Sequence, residues 1–274
     1  CKGCKRECPT GVDMAKMKIE FLHHYRKRKG LALKDRLIAY LPRYAASASR
    51  FAPAANALQG VFKSVLGFAP QRSLPKWSGD PFVAPYPNAL PSGEGVSSPH
   101  LPKGEGVTPA QDSLSSREGA RVRGEVVLLV DTFNRYFEPE NARAALAVLK
   151  AAGHPGPLPR PPDGDRPLCC GRTFLAAGLV DEAKIEAGCV IRTLAPYVER
   201  GVPVVGLEPS CLLGLRDEFL SLHPAGEAAE LALKAFLLEE FLAAEHAAGR
   251  LRLALKPLPQ KRALPHGHCP QKGF

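Results

Sequence analysis

The stretch Val202-Pro-Val-Val-Gly-Leu-Glu-Pro-Ser-Cys211 decides how the second half of the chain folds. Its apolar run, Val202 to Leu207, is β-branched, bounded by Gly201 and Pro209, and too short for an independent helix, so it reads as a buried strand. The thiol of Cys211 then falls just past the carboxyl end of that strand, where open α/β sheets build their binding crevices. Upstream, Val126 to Val130 forms a second apolar run ending at Asp131, followed by a helix over Pro139 to Ala152. A helix over Asp181 to Arg200 lies between the two runs. Helices over Leu212 to Leu222 and Glu227 to Ala248 come after, and Ala263 to His268 reads as a last strand. Strands alternating with helices predict a largely parallel sheet covered on both faces.

Cys169-Cys170-Gly171 is the second informative stretch. Adjacent side chains on an extended segment point to opposite faces, so two neighbouring cysteines do not serve one ordinary core. A bend at Gly171 would aim both at one place. Cys269, in His266-Gly-His268-Cys269, follows the last expected strand as Cys211 follows its own. Three loops thus deliver thiols to the carboxyl edge of one sheet. His266 and His268 are read either as donors supporting that edge or as plain polar positions. Cys189 sits inside the helix Asp181 to Arg200 without a second cysteine at helical spacing, and reads as a buried structural residue.

The chain opens with Cys1-Lys-Gly-Cys4-Lys-Arg-Glu-Cys8-Pro9. The spacing C-x2-C-x3-C-P reproduces the last three ligands of the bacterial ferredoxin signature, whose first ligand would lie three residues before Cys1. The sequence is therefore expected to be a piece of a larger polypeptide. Closely spaced soft thiolates suit a [4Fe–4S] cube, with Cys1 and Cys4 on one cube and Cys8, the cysteine before proline, on another. A structural zinc site also uses C-x2-C, but the nearest histidines, His23 and His24, fall inside a predicted helix. That helix is capped by Thr10 or Asp13 and runs to about Lys29. Its apolar stripe Met14, Met17, Phe21 and Tyr25 predicts a core-facing surface. Further helices are expected over Leu33 to Leu41, stopping at Pro42, and over Ala54 to Leu66.

Composition narrows the classes. A hydrophobic fraction of 45% is ordinary for a folded protein, and eight cysteines in 274 residues are too few for a disulfide scaffold. Their clustering points to ligands in a reducing compartment, the cytoplasm. No run of 18 uncharged apolar residues is present to span a membrane. Residues 1–50 hold 13 Lys and Arg against four Asp and Glu, nearly all of the net charge of +10. These basic residues are not interleaved with stacking aromatics, so nucleic acid is not an expected partner. They suit an acidic partner or an anionic lipid surface, which allows peripheral contact with the inner membrane. Residues 83–122, rich in Pro, Gly and Ser, repeat Leu90-Pro-Ser-Gly-Glu-Gly-Val96 as Leu101-Pro-Lys-Gly-Glu-Gly-Val107 and read as a disordered insertion or linker. The expected organisation is a small all-helical ferredoxin-type domain over 1–82, this linker, and an α/β cysteine-rich domain over 123–274.

Asp131-Thr-Phe, Tyr136-Phe-Glu-Pro-Glu-Asn-Ala142, Cys169-Cys-Gly-Arg172 and Gly206-Leu-Glu-Pro-Ser-Cys-Leu212 carry a resemblance. Together with the N-terminal motif they are similar to the cysteine-rich "CCG" half of FAD-linked oxidases of D-2-hydroxy acids. The same domain occurs in the iron–sulfur subunit of glycolate oxidase and in the cysteine-rich subunit of heterodisulfide reductase. The resemblance covers about 1–82 and 123–274. It implies that Cys169, Cys170 and Cys211 bind a second iron–sulfur centre or form a redox-active thiol site, and that Cys269 opens a second repeat of the motif. Asp131 stands where heterodisulfide reductase begins this motif with a cysteine, and Pro270 stands where a histidine is commoner. The second Cys-Cys-Gly of the pattern does not occur before Phe274. The implied role is an electron relay from FAD, held in a partner or fused oxidase domain, to a quinone, cytochrome or electron-transfer protein. No G-x-G-x-x-G that would mark a flavin site is present in the chain. A heterodisulfide-reductase-like thiol site and a zinc-stabilised binding module are the rival readings.

Overall fold

The structure is a computed structural model that describes residues 8–83, 124–154, 156–159, 167–224 and 226–257, together with 259, 262, 264, 267, 268 and 271. Cys1, Cys4, Cys269, His266, nearly all of the linker and half of the expected last strand lie outside the described residues.

The described chain is mostly helical, with one small parallel sheet. Strand β1 (Val127–Leu129) pairs with β2 (Val204–Gly206), and β2 pairs with β3 (Ala235–Leu237), in the order β1-β2-β3. Alternation along the strands splits the core. Val127, Leu129, Val204, Ala235 and Leu237 face one cluster with Phe174, Leu194, Leu212 and Phe219. Val126, Leu128, Val130 and Val205 face another with Ala142, Ala145, Leu149 and Phe241. The sheet is therefore covered on both faces, as the buried apolar runs require.

β3 corrects the sequence reading, since it interrupts what was expected to be one helix over Glu227 to Ala248. The segment divides into a helix Gly226–Lys234, the strand, and a helix Leu238–Ala247. Ala, Leu and Glu favour helix here, but pairing with β2 overrides propensity. Arg216 fixes the break, because its Nε and an η nitrogen both donate to the Ala235 carbonyl, at 2.9 and 2.6 Å, while its guanidinium also pairs with Glu240.

The N-terminal helices are α1 (Met14–Lys29), α2 (Leu33–Ala39), α3 (Leu41–Arg50), α4 (Ala52–Ala57) and α5 (Gln59–Val65). Asp13 caps α1 by accepting from the Ala15 and Lys16 amides at 3.1 Å. Pro42 does not end a helix as expected; it sits in the first turn of α3, where its missing N–H costs nothing. The apolar stripe of α1 is also placed differently. Met14, Met17, Phe21 and Tyr25 are 45–67% exposed, and Ile19, Leu22 and His23 turn inward instead. The reason is Gly178, which ends the helix α6 (Arg172–Ala177) at φ +81°. The α1 backbone rests on it, and His23 Nδ1 lies 3.3 Å from its carbonyl.

A Cβ at Gly178 would lie 2.6 Å from the Leu22 Cβ. Gly178→Ala is expected to cost about 1–3 kcal/mol from left-handed strain, with further loss as α1 is pushed away, measured by urea denaturation. Unchanged stability would show that α1 does not seat there.

Candidate thiol site

Each residue of the site is placed by the end of a strand or the start of a helix. Beyond β1, Asp131 is the N-cap of the helix Thr132–Tyr136. Its Oδ1 accepts from the Phe133 and Asn134 amides at 2.8 and 3.1 Å, and its Oδ2 from Asn134 Nδ2 at 2.6 Å. Beyond β2, Glu208 caps the helix Pro209–Arg216, its Oε2 accepting from the Cys211 amide at 2.6 Å. Asp131 is thus already engaged by both oxygens. Glu208 was not picked out as a site residue from sequence, although an acid immediately before Pro209 at a strand end is a readable N-cap signal.

Cys169 and Cys170 arrive on the segment 167–170, which turns at Gly171 (φ +74°) into α6. A side chain at Gly171 would be strained by that φ and would press on the Ala183 backbone at 3.0 Å. The turn brings Cys170 Sγ to 2.9 Å from Cys211 Sγ. Cys169 is buried, hydrogen-bonds Cys170, and accepts from the Gly171 amide at 3.4 Å. The three thiols are therefore contiguous and unbridged.

Their surroundings oppose ionisation. The hydrogen bond with Cys170 and burial raise the Cys169 thiol well above its ordinary value. At Cys170 the bond from Cys169 favours the thiolate, but the Cys211 contact and burial outweigh it. At Cys211 the bond from Cys170 is likewise outweighed by burial and by the charges of Asp131 and Glu208, which push it up to about 12. Burial also raises the Asp131 carboxyl, against its Asn134 hydrogen bonds. Glu186, 1% exposed, adds negative charge near Cys169 and pairs with Arg43 of α3 at 3.3 Å. Sequence reading missed this pair, whose partners are 143 residues apart.

Cys8 differs in environment. Its hydrogen bond with Thr10, Sγ to Oγ1 at 3.1 Å, lowers its thiol below the ordinary value, helped by nearby backbone groups. Cys189 lies in the buried core, and His268 is exposed with its amide donating to Gln271.

Among the described residues, no three His, Cys, Asp or Glu side chains are grouped so as to hold a metal ion. Soft thiols are the donor type that iron–sulfur clusters take, so Cys169, Cys170 and Cys211 fit such a group chemically. They are not spread to receive it, since two thiolates 2.9 Å apart would repel and must separate on ionising.

No protein-family description matches the chain, and no solved structure matches it. Among characterised proteins it is similar to D-2-hydroxyglutarate dehydrogenase from Pantoea ananatis, 24% identical over 80% of the chain and 20% of the relative. The enzyme of that name from Pseudomonas putida is 28% identical with the same coverage. A subunit of the anaerobic glycerol-3-phosphate dehydrogenase of Escherichia coli is 27% identical over 36% of the chain and 24% of the relative. These relatives are all dehydrogenases by name, which supports an oxidoreductase-related component. The chain spans about a fifth of the length of the D-2-hydroxyglutarate dehydrogenases it matches.

With Cys211 held near 12, only ~1 in 10,000 of its molecules is a thiolate at pH 8. Iodoacetamide at pH 8 is therefore expected to label Cys8 well before Cys169 or Cys211, read by peptide mass spectrometry. Equal rates would show that the thiol site is open to solvent.

Proposed function

We propose that the chain is the iron–sulfur electron-transfer part of an FAD-dependent dehydrogenase of a 2-hydroxy acid of the glycolate, D-lactate or D-2-hydroxyglutarate type. The convergence of Cys169, Cys170 and Cys211 at the carboxyl edge of the parallel sheet carries this reading. The relatives named D-2-hydroxyglutarate dehydrogenase support the substrate class. In this proposal Cys1, Cys4 and Cys8 serve ferredoxin-type [4Fe–4S] binding, with Cys1 and Cys4 on one cube and Cys8 on another, while Cys169, Cys170 and Cys211 hold a further centre and Cys269 opens a second repeat of that motif. Bound clusters supply one-electron carriers between a flavin and an acceptor. The protein holds the thiols, excludes water and sets the local charge. The partners are a flavin-bearing oxidase domain or protein, which the similarity to one subunit of a glycerol-3-phosphate dehydrogenase supports, and a quinone, cytochrome or electron-transfer protein. Among the described residues no helix is long and apolar enough to cross a membrane. The proposed location is the cytoplasm, with peripheral contact at the inner membrane through the basic N-terminal region.

A thiol–disulfide redox site is the second reading, favoured by the 2.9 Å contact between Cys170 and Cys211. Iron and sulfide content with visible absorption separates the two readings, and a colourless zinc-containing protein would overturn both. In the complete polypeptide, Cys4→Ser or Cys8→Ser should stop electron delivery to the acceptor while flavin reduction by substrate continues. Cys170→Ala should remove one reduced EPR signal and leave the ferredoxin-type signal. An unchanged iron count and spectrum in Cys170→Ala would remove the second centre from the proposal.

A further inference from the structure

We infer that Cys170 and Cys211 close into a disulfide when the thiol site holds no metal, and that this disulfide blocks loading of the site. The inference rests on the cluster reading above for its second half only.

Cys170 touches both Cys169 and Cys211, but consecutive Cα atoms about 3.8 Å apart lie under the span a relaxed disulfide bridges, which leaves Cys170–Cys211 as the pair that can close. The Cys170 and Cys211 sulfurs lie 2.9 Å apart, so covalent closure needs less than an ångström of movement, whereas cluster binding needs them to part. The two residues stand 41 positions apart on separate elements, one at the Gly171 turn and one in the first turn of the helix Pro209–Arg216. Both elements are fixed by packing, so the contact does not depend on a loose terminus. Cys169 is buried and engaged with the Gly171 amide, which leaves it less free to turn toward Cys211. Cys211 is buried and Cys170 is partly buried, so whichever of the two sulfurs is oxidised first has the other beside it.

With a peroxide as oxidant the chemistry balances. With Cys170 taken first, its sulfur attacks one peroxide oxygen, the O–O bond breaks, and a sulfenic acid and one water form. The Cys211 sulfur then attacks the Cys170 sulfur, the S–O bond breaks, and the second water leaves with the Cys211 proton. Two thiols lose two electrons and two protons, and hydrogen peroxide is reduced to two waters. Two of the site's three thiols are then unable to bind iron until a reductant reopens the bond.

The test uses the full chain, stripped of metal by a chelator, treated with hydrogen peroxide, alkylated and digested without reductant. The expected result is a cross-linked peptide pair carrying Cys170 and Cys211, lost on dithiothreitol treatment and absent from Cys170→Ser. Reconstitution with iron and sulfide should give less iron per chain in the oxidised sample than in the same sample after reduction. Alkylation of both Cys170 and Cys211 after peroxide, or a bridge joining Cys169 to either, would overturn the disulfide, and this needs no variant. If the bridge forms but iron uptake is the same before and after reduction, the block on loading is wrong. The cluster reading fails separately, when reduced wild type and Cys170→Ser take up equal iron.

Discussion

Three residues of parallel pairing, Val127–Leu129 beside Val204–Gly206, hold together everything at the thiol edge. Parallel strands run out at the same end, so their last backbone groups and the residues after them meet in one place. Here that places Asp131 next to Glu208 and Cys211. Each strand hands over to a helix whose first amides need acceptors, and an acid supplies them in both cases. A slip of one residue would turn Val127 and Val204 from one core cluster to the other and carry the caps away from each other.

The N-terminal helices depend on the same edge. Ala39 is fully buried in the cluster that contains Phe174, and Tyr40 packs edge-on to that ring at 5.1 Å. The Thr173 hydroxyl donates to the Ala39 carbonyl at 2.8 Å. The strongly basic first 50 residues meet acids of the α/β part: Lys16 pairs with Asp217, Lys27 with Asp181 and Arg43 with Glu186. Part of the acidic surface expected from charge alone is therefore this chain's own. Lys27 and Asp181 are both exposed and their pair contributes little. Arg43 with Glu186 is different, since the carboxylate is held out of water and losing Arg43 would take a cation from beside it.

The strands β1 and β2 and the helices Pro139–Ala151 and Val180–Glu199 were legible in the sequence, because short β-branched runs and long periodic segments are strong signals. β3 was not, since Ala-Phe-Leu inside a helix-favouring stretch becomes a strand only through its neighbour β2 and the Arg216 clamp. The stripe Met14 to Tyr25 misled for a related reason: periodicity shows that a helix has an apolar face, but not which face a glycine turn elsewhere will accept. At the site, the meeting of Cys169, Cys170 and Cys211 was readable from strand ends and Gly171. Asp131 was readable with them and Glu208 through its N-cap signal, but Glu186 was not, because it meets Arg43 only after the N-terminal helices dock.

Those acids bear on the choice between the two redox readings. A catalyst of thiol–disulfide exchange needs a thiolate near neutral pH, usually produced by a neighbouring cation or a helix N-terminus. Cys211 does sit in the first turn of a helix, yet Glu208 occupies its amide, and Asp131, Glu208 and burial push the thiol up to about 12. Glu186 acts in the same sense on Cys169. The bare site is thus poorly suited to turnover as a dithiol enzyme. Metal ligation would change only part of this balance, because it drives thiols to ionise, while the carboxylates would still oppose the negative charge of a thiolate-ligated cluster. Burial and the neighbouring acids keep the bare thiols protonated near neutral pH, so closure of a Cys170–Cys211 disulfide would be slow, and a metal would have to supply the driving force for ionising them.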